Sequence, residues 1–104
     1  MHCTQMRLKR TPEYIEWYES QRPKEKAQIA KRLTNIEEQG YFGTVKDLGD
    51  FLSELKWVNG RRVFFSIMED HAGDLTLLIL GGNNNGQDSD IKKARKILKK
   101  YIEG

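Results

Sequence analysis

Ser53-Glu54-Leu55-Lys56-Trp57-Val58-Asn59-Gly60-Arg61-Arg62-Val63-Phe64-Phe65-Ser66-Ile67-Met68 carries the pattern of a β-hairpin. Its first six residues alternate in character. Asn59-Gly60 then interrupts at a point where both residues tolerate the positive φ of a tight hairpin turn. β-Branched and aromatic residues resume at once, as a return strand requires. The expectation is a hairpin of strands over 52–58 and 61–68. A two-residue turn would pair Val58 with Arg61, Trp57 with Arg62 and Lys56 with Val63, and cross-strand partners share a sheet face. On that register Trp57 stands beside Arg62, while Lys56 and Arg61 project from the opposite face.

Beyond the hairpin, His71-Ala72-Gly73-Asp74 reads as a turn, and Leu75-Thr76-Leu77-Leu78-Ile79-Leu80 as a strand. That strand is apolar on both faces, which suits a central position covered from each side. Gly81-Gly82-Asn83-Asn84-Asn85-Gly86 should end the sheet. A closing helix is expected from about Gln87 to Glu103, with Asn85 as N-cap, Asp88 and Asp90 in the first turn, and an apolar stripe of Ile91, Ala94, Leu98, Tyr101 and Ile102. On the other side of the hairpin, 41–50 reads as loop. Pro23 to Gln39 is an amphipathic helix presenting Ile29, Ala30, Leu33 and Ile36, closed by Gly40. Thr11-Pro12-Glu13 opens an earlier helix carrying Tyr14, Trp17 and Tyr18, and Gln21-Arg22-Pro23 separates the two. With a short strand before Thr11, the order is β-α-α-β-β-β-α. The fold class is α+β: an N-terminal helical hairpin packed through Ile29, Leu33 and Ile36 on a small, mainly antiparallel sheet, with a C-terminal helix.

The 104 residues suit one domain, 1–104, and leave no room for a second core. Hydrophobic residues at 38% against 32% charged imply a thin core and a heavily solvated surface. A net charge of +3 is too small to argue for nucleic acid by itself, so the placement of the cations matters more than their sum. A lone cysteine, Cys3, excludes an internal disulfide and a cysteine metal site. The 75–80 run is too short to span a bilayer, and 1–10 has no apolar leader region, so a cytoplasmic location away from membranes is expected. No phosphate-binding loop, dinucleotide fingerprint or zinc motif occurs, and no cofactor is expected.

Four motifs resemble the RelE/ParE superfamily of toxins, and within it the HigB-like addiction-module killer proteins. Tyr14-Ile15-Glu16-Trp17 is similar to the aromatic first helix of that family. Val45-Lys46-Asp47-Leu48-Gly49-Asp50, followed by Ser53-Glu54-Leu55-Lys56, resembles its V-K-x-L-G-D…x-E-L-R pattern. Gly60-Arg61-Arg62-Val63-Phe64-Phe65 resembles G-Y-R-V-Y-F. Leu78-Ile79-Leu80-Gly81-Gly82, leading into 87–94, resembles the last strand, glycine pair and closing helix. The chain departs from the pattern at Arg61, where the family has an aromatic, at Lys56, where it has arginine, and at Asn83-Asn84, where it has Asp-Lys.

The resemblance implies a metal-independent endoribonuclease acting on messenger RNA, in some cases at the ribosome, and held in check by a protein antitoxin of helix-turn-helix type. It also admits a ParE-like inhibitor of DNA gyrase, or a phage-derived member that binds without catalysis. Metal-free cleavage needs the 2′-OH deprotonated, the phosphate charge stabilised and the 5′-oxygen protonated. Arg62 aligns with the strand arginine of the superfamily and is the first candidate for a phosphate clamp. Lys56, Arg61 and Glu54 are further catalytic candidates, Glu54 as a base or as a plain exposed strand carboxylate. Trp57, Lys46, Asn83 and Asn84 are candidates for RNA contact. The sequence leaves open whether Trp57 is a stacking platform or core covered by Arg62. His71 sits in a distal turn. The lysines of the closing helix encircle it, as on a solvated face.

Overall fold

In the computed structural model, which describes residues 7–69, 72–83 and 88–103, eight elements follow one another. They are β1 (Arg7–Arg10), α1 (Pro12–Glu19), α2 (Pro23–Gln39), β2 (Val45–Gly49), β3 (Leu52–Lys56), β4 (Arg62–Glu69), β5 (Leu75–Asn83) and α3 (Asp88–Glu103). The strands form one sheet in the order β1-β5-β4-β3-β2, with β1 parallel to β5 and the other neighbours antiparallel.

Central placement of β5 explains its unbroken apolar run. Leu77, Leu78, Ile79 and Leu80 are all at most 1% exposed, because helices cover both faces. On one face Leu77 and Ile79 meet Leu55, Val63, Phe65 and the α1–α2 hairpin through Tyr14, Ile29, Leu33 and Ile36. On the other, Leu78 and Leu80 join Leu52 and Phe64 beneath Ala94, Ile97 and Leu98 of α3. Burying each such leucine or isoleucine contributes about 1.5–3 kcal/mol relative to exposure.

The helix ends follow their local chemistry. Thr11 Oγ1 accepts from Tyr14 N at 3.2 Å and caps α1. Gly40, at φ 68, closes α2 with its N–H on Ile36 O. Tyr18 Oη donates to Lys26 O at 3.2 Å, which ties the two helices together.

Five expectations need correction. The 41–50 segment is not all loop, since Val45–Gly49 pairs with β3. Its exposed, charged strand has no alternation strong enough to read, and its ends are held by distant arginines. Arg32 of α2 donates to Phe42 O, Thr44 O and Lys56 O. Arg95 of α3 donates to Leu48 O at 2.7 Å and Gly49 O at 3.2 Å.

The Asn59-Gly60 turn has three loop residues, not two. Trp57 N donates to Arg61 O, Gly60 N to Trp57 O, and Arg61 N to Asn59 Oδ1, with Gly60 alone in the left-handed region at φ 91. The whole register therefore slips by one: Lys56 pairs with Arg62, Leu55 with Val63, and Glu54 with Phe64. Conversely, the tight two-residue turn with both φ positive occurs at Asp50-Phe51, between the paired Gly49 and Leu52.

The glycine pair does not end the sheet. β5 continues through Gly81 and Gly82 to Asn83, with a bulge opposite Phe64/Phe65 where Gly81 sits at φ 150. Gly82 is required by packing, because a Cβ there would lie 2.7 Å from the Trp17 ring. Finally, the stripe on α3 uses Ile97, while Ile102 is 56% exposed. The expectations for Asn84, Asn85 and His71 lie outside the described residues.

Candidate functional site

The slipped register sorts the candidate residues onto two faces, and the sorting differs from the expected one. On the α3 side, Lys46, Glu54, Phe64 and Gly81 form one cross-strand row, and Lys56, Arg62 and Asn83 form the next. Five of the candidates thus lie together: Arg62, Lys56, Glu54, Lys46 and Asn83. Trp57 and Arg61 are on the other face, so Trp57 does not stand beside Arg62, and Lys56 does.

At the centre of the cluster is an ion pair. Arg62 Nη1 donates to Glu54 Oε1 at 3.1 Å and reaches Oε2 at 3.4 Å. The Glu54 side chain has no exposure at all and that of Arg62 has 25%. Glu54 is therefore not the exposed strand carboxylate that the sequence left open. A carboxylate this deep needs its partner, since an unpaired buried charge costs several kcal/mol. The pairing is end-on. Arg62 Nε is buried and meets no acceptor among the described residues, so the guanidinium does not use the two-donor fork that makes arginine–carboxylate pairs strongest.

Asn83 stands across from Arg62, 6% exposed, and donates from Nδ2 to Asp90 Oδ2 of α3 at 3.2 Å. It also lines a groove of about 800 Å³ between α1 and α3, floored by Gly81 and Gly82 and walled by Glu13 and Trp17 on one side and Lys93 and Lys100 on the other. Arg62, Lys56 and Lys46 do not line it: Arg62 is the cross-strand neighbour of Asn83, Lys56 lies one strand further out on β3, and Lys46 lies beyond it on the edge strand β2. Lys46 is exposed on the edge strand and Lys56 is half-buried.

On the opposite face, the Arg32 guanidinium lies over the Trp57 ring, with Cζ 4.4 Å from its centroid. The ring packs against the α1–α2 core cluster, so the cation that covers Trp57 is Arg32. Arg61 Nε donates to the side chain of Gln21 at 3.1 Å, and Arg61 lines a separate polar hollow of about 350 Å³ with Ser20, Gln21, Arg22 and Glu25. Burial lowers the Arg32 pKa from its ordinary value, and the Tyr41 phenol opposes that shift. No cluster of three metal-ligating side chains occurs among the described residues. None of their helices is long and apolar enough to cross a membrane.

Arg32, Arg95 and the Trp17–Gly82 contact were not singled out from the sequence. Only Trp17 left a signal, its spacing of three residues from Tyr14. The two arginines read as ordinary charges on helix surfaces.

No family model matches the chain. An uncharacterized protein of Haemophilus influenzae is 35% identical over 72 residues, which span 67% of this chain and 69% of that one. This chain belongs to the same family as that protein. Among solved structures, the crystal structure of the isolated Escherichia coli RelE toxin superposes with a TM-score of 0.62, covering 89% of this chain and 98% of that one at 13% identity. The fold is RelE-like, an α+β sheet with paired N-terminal helices and a closing helix.

Proposed function

We propose that this protein is the toxin of a toxin–antitoxin pair, a HigB-like endoribonuclease that cuts messenger RNA without a metal, in association with the ribosome. One observation carries the reading: on a RelE-like sheet, Arg62 lies in a double row with Lys56, Lys46 and Asn83, and Asn83 lines the α1–α3 groove. Three cationic side chains along one strip suit a phosphodiester backbone, and the arginine suits the phosphate that reacts.

The chemistry is an internal transfer. The RNA 2′-oxygen gives up its proton and forms a bond to phosphorus, and the bond to the 5′-oxygen breaks as that oxygen gains a proton. The products are a 2′,3′-cyclic phosphate and a 5′-hydroxyl. Arg62 stabilises the charge that builds on the non-bridging oxygens, and Lys56 and Lys46 hold the neighbouring phosphates. Such electrostatic stabilisation is worth about 3–4 kcal/mol per well-placed donor. Arg61 and Trp57, on the far face, take no part in this step.

A helix-turn-helix antitoxin would complete the pair. Its acidic segment would meet the basic closing helix and the Arg61-Arg62 hairpin. One observation favours a second reading, a member of the fold that binds its partner without cutting RNA: Glu54 already neutralises Arg62.

The test is induced expression in bacteria with primer extension on cellular messenger RNA. Arg62→Lys is the informative variant, because it keeps a cation beside buried Glu54 while losing the guanidinium fork. Wild type should slow growth and create new 5′ ends, and Arg62→Lys should do neither. Unchanged toxicity in that variant contradicts the assignment. Co-expression with a neighbouring helix-turn-helix protein should give a stable complex without cleavage.

A further inference from the structure

The α1–α3 groove has walls of opposite charge. Glu13, Glu16, Trp17 and Ser20 line it from α1, and their spacing puts them on one face of that helix. Lys93, Lys96 and Lys100 line it from α3, again along one face. Lys100 Nζ lies 3.7 Å from Glu13 Oε2, which joins the two walls at one end. Glu16, Lys93 and Lys96 are exposed and form no ion pair among the described residues. The floor between the walls is Phe64, Leu80 and the Gly81-Gly82 backbone, with the Trp17 ring against Gly82.

Each part of this groove fits one part of a nucleotide. A volume of about 800 Å³ is ample for one. Ammonium groups along the α3 wall suit a phosphate. The paired glycines leave the floor flat beside an indole, as a base requires. Trp17 Nε1 is buried, so the ring offers apolar surface and no hydrogen bond. A carboxylate only accepts, so the α1 wall selects a base edge made of donors. Guanine meets that demand, because its ring N1–H and its exocyclic amino group stand side by side. Adenine and cytosine set a donor next to an acceptor, and uracil has a single donor between two acceptors. Position agrees with the proposed chemistry as well. Asn83, at the end of the floor, is the cross-strand partner of Arg62.

We propose that this groove is a nucleotide subsite: Glu16 accepts from the Watson–Crick edge of a guanine, Lys93 and Lys96 hold its phosphate, and the RNA continues to the phosphodiester at Arg62. The proposal rests on the endoribonuclease reading and deepens it by naming a base beside the cut. Glu16 is then a specificity-determining residue.

Two measurements on the full-length protein keep the subsite and the underlying reading apart. In the first, 5′-GMP, 5′-AMP, 5′-CMP and 5′-UMP are titrated separately into isotope-labelled protein, and amide shifts are followed. GMP should move the amides of Glu16, Gly82 and Lys93 with a Kd about tenfold below those of the other three, the discrimination of a two-bond base contact. Glu16→Gln should abolish the preference and leave amides outside the groove in place, since a side-chain amide offers one acceptor where guanine needs two. Replacing both lysines, Lys93→Gln with Lys96→Gln, should weaken all four nucleotides alike and flatten the salt dependence. Equal Kd values for the four, or shifts away from the groove, overturn the proposal. It also fails if no nucleotide moves these amides and a co-expressed helix-turn-helix protein covers them, because the groove is then a protein-docking face. In the second measurement, the sequences flanking the cuts in messenger RNA are read. Guanine should stand at one fixed position beside the cut, and Glu16→Gln should lose that bias. Cleavage without the bias sinks the subsite and leaves the endoribonuclease reading standing. Guanine-selective binding in the groove by a wild type that cuts no RNA does the reverse.

Discussion

Arg32 shows how much one side chain can organise. From α2 it donates to the carbonyls of Phe42, Thr44 and Lys56 and lies over Trp57, so a single guanidinium joins the helical hairpin, the following loop and the end of β3. Lysine can replace the charge but not the fork. Arg32→Lys should therefore cost about 2–3 kcal/mol, read as a lower urea midpoint, because partly buried carbonyls lose their donors. A midpoint equal to wild type would show that the clasp does not hold the loop. Tyr14 supplies a second residue-scale prediction. Burial pushes its phenol up to about 12, against the opposing influence of Arg10. Below pH 10 both folded and unfolded chains keep the proton, and the buried phenol contributes in full. Between about pH 10 and 12 the unfolded chain releases the proton while the folded one holds it, so stability falls by about 1.4 kcal/mol per unit of difference. Tyr14→Phe should flatten that decline in a urea-midpoint series, and an unaltered slope would count against it.

Elements behave similarly, and the two hairpins of the sheet exchange their expected roles. Asn59-Gly60 carries the residues of a two-residue turn but forms a three-residue one. Asp50-Phe51 forms the two-residue turn without them. Phe51 sits at φ 68 and is 80% exposed, so it bears backbone strain and buries little in return. Phe51→Gly should relieve that strain and stabilise the protein by about 0.5–1 kcal/mol, seen as a raised Tm. A lowered Tm would mean that the ring makes a contact worth more than the strain. At the other end of the sheet, Gly82 lets Trp17 lie directly on the β5 backbone. Gly82→Ala should cost about 1–3 kcal/mol by overpacking, and adding Trp17→Leu should recover part of it in a double-mutant cycle. Strictly additive effects would show that the two do not touch.

Across the whole molecule, the features legible in the sequence were those written in local periodicity: the helical stripe of Ile29, Leu33 and Ile36, the Thr11 cap, the Gly40 stop and the doubly apolar β5. What escaped depends on partners distant in the chain. β2 is visible only once Arg32 and Arg95 hold its ends, and the extent of β5 only once Trp17 covers Gly82. The cluster of Arg62, Lys56, Glu54, Lys46 and Asn83 consists of residues singled out from the sequence. Its geometry is not legible there, because one extra loop residue moves every side chain of a strand to the other face. That slip places Lys56 with Arg62 and removes Trp57, and the proposed metal-free RNA cleavage about Arg62 rests on this arrangement. The chemistry of the cut ends distinguishes such cleavage from the alternatives. Purified protein should be incubated with ribosome-bound messenger RNA, and a sample of naked RNA carrying EDTA should be run beside it to test metal dependence. Products should carry a 5′-hydroxyl that polynucleotide kinase labels without prior dephosphorylation, together with a 2′,3′-cyclic phosphate, and Arg62→Lys should yield neither. Ends bearing a 5′-phosphate, cleavage that EDTA abolishes on naked RNA, or cleavage undiminished in Arg62→Lys would contradict the account.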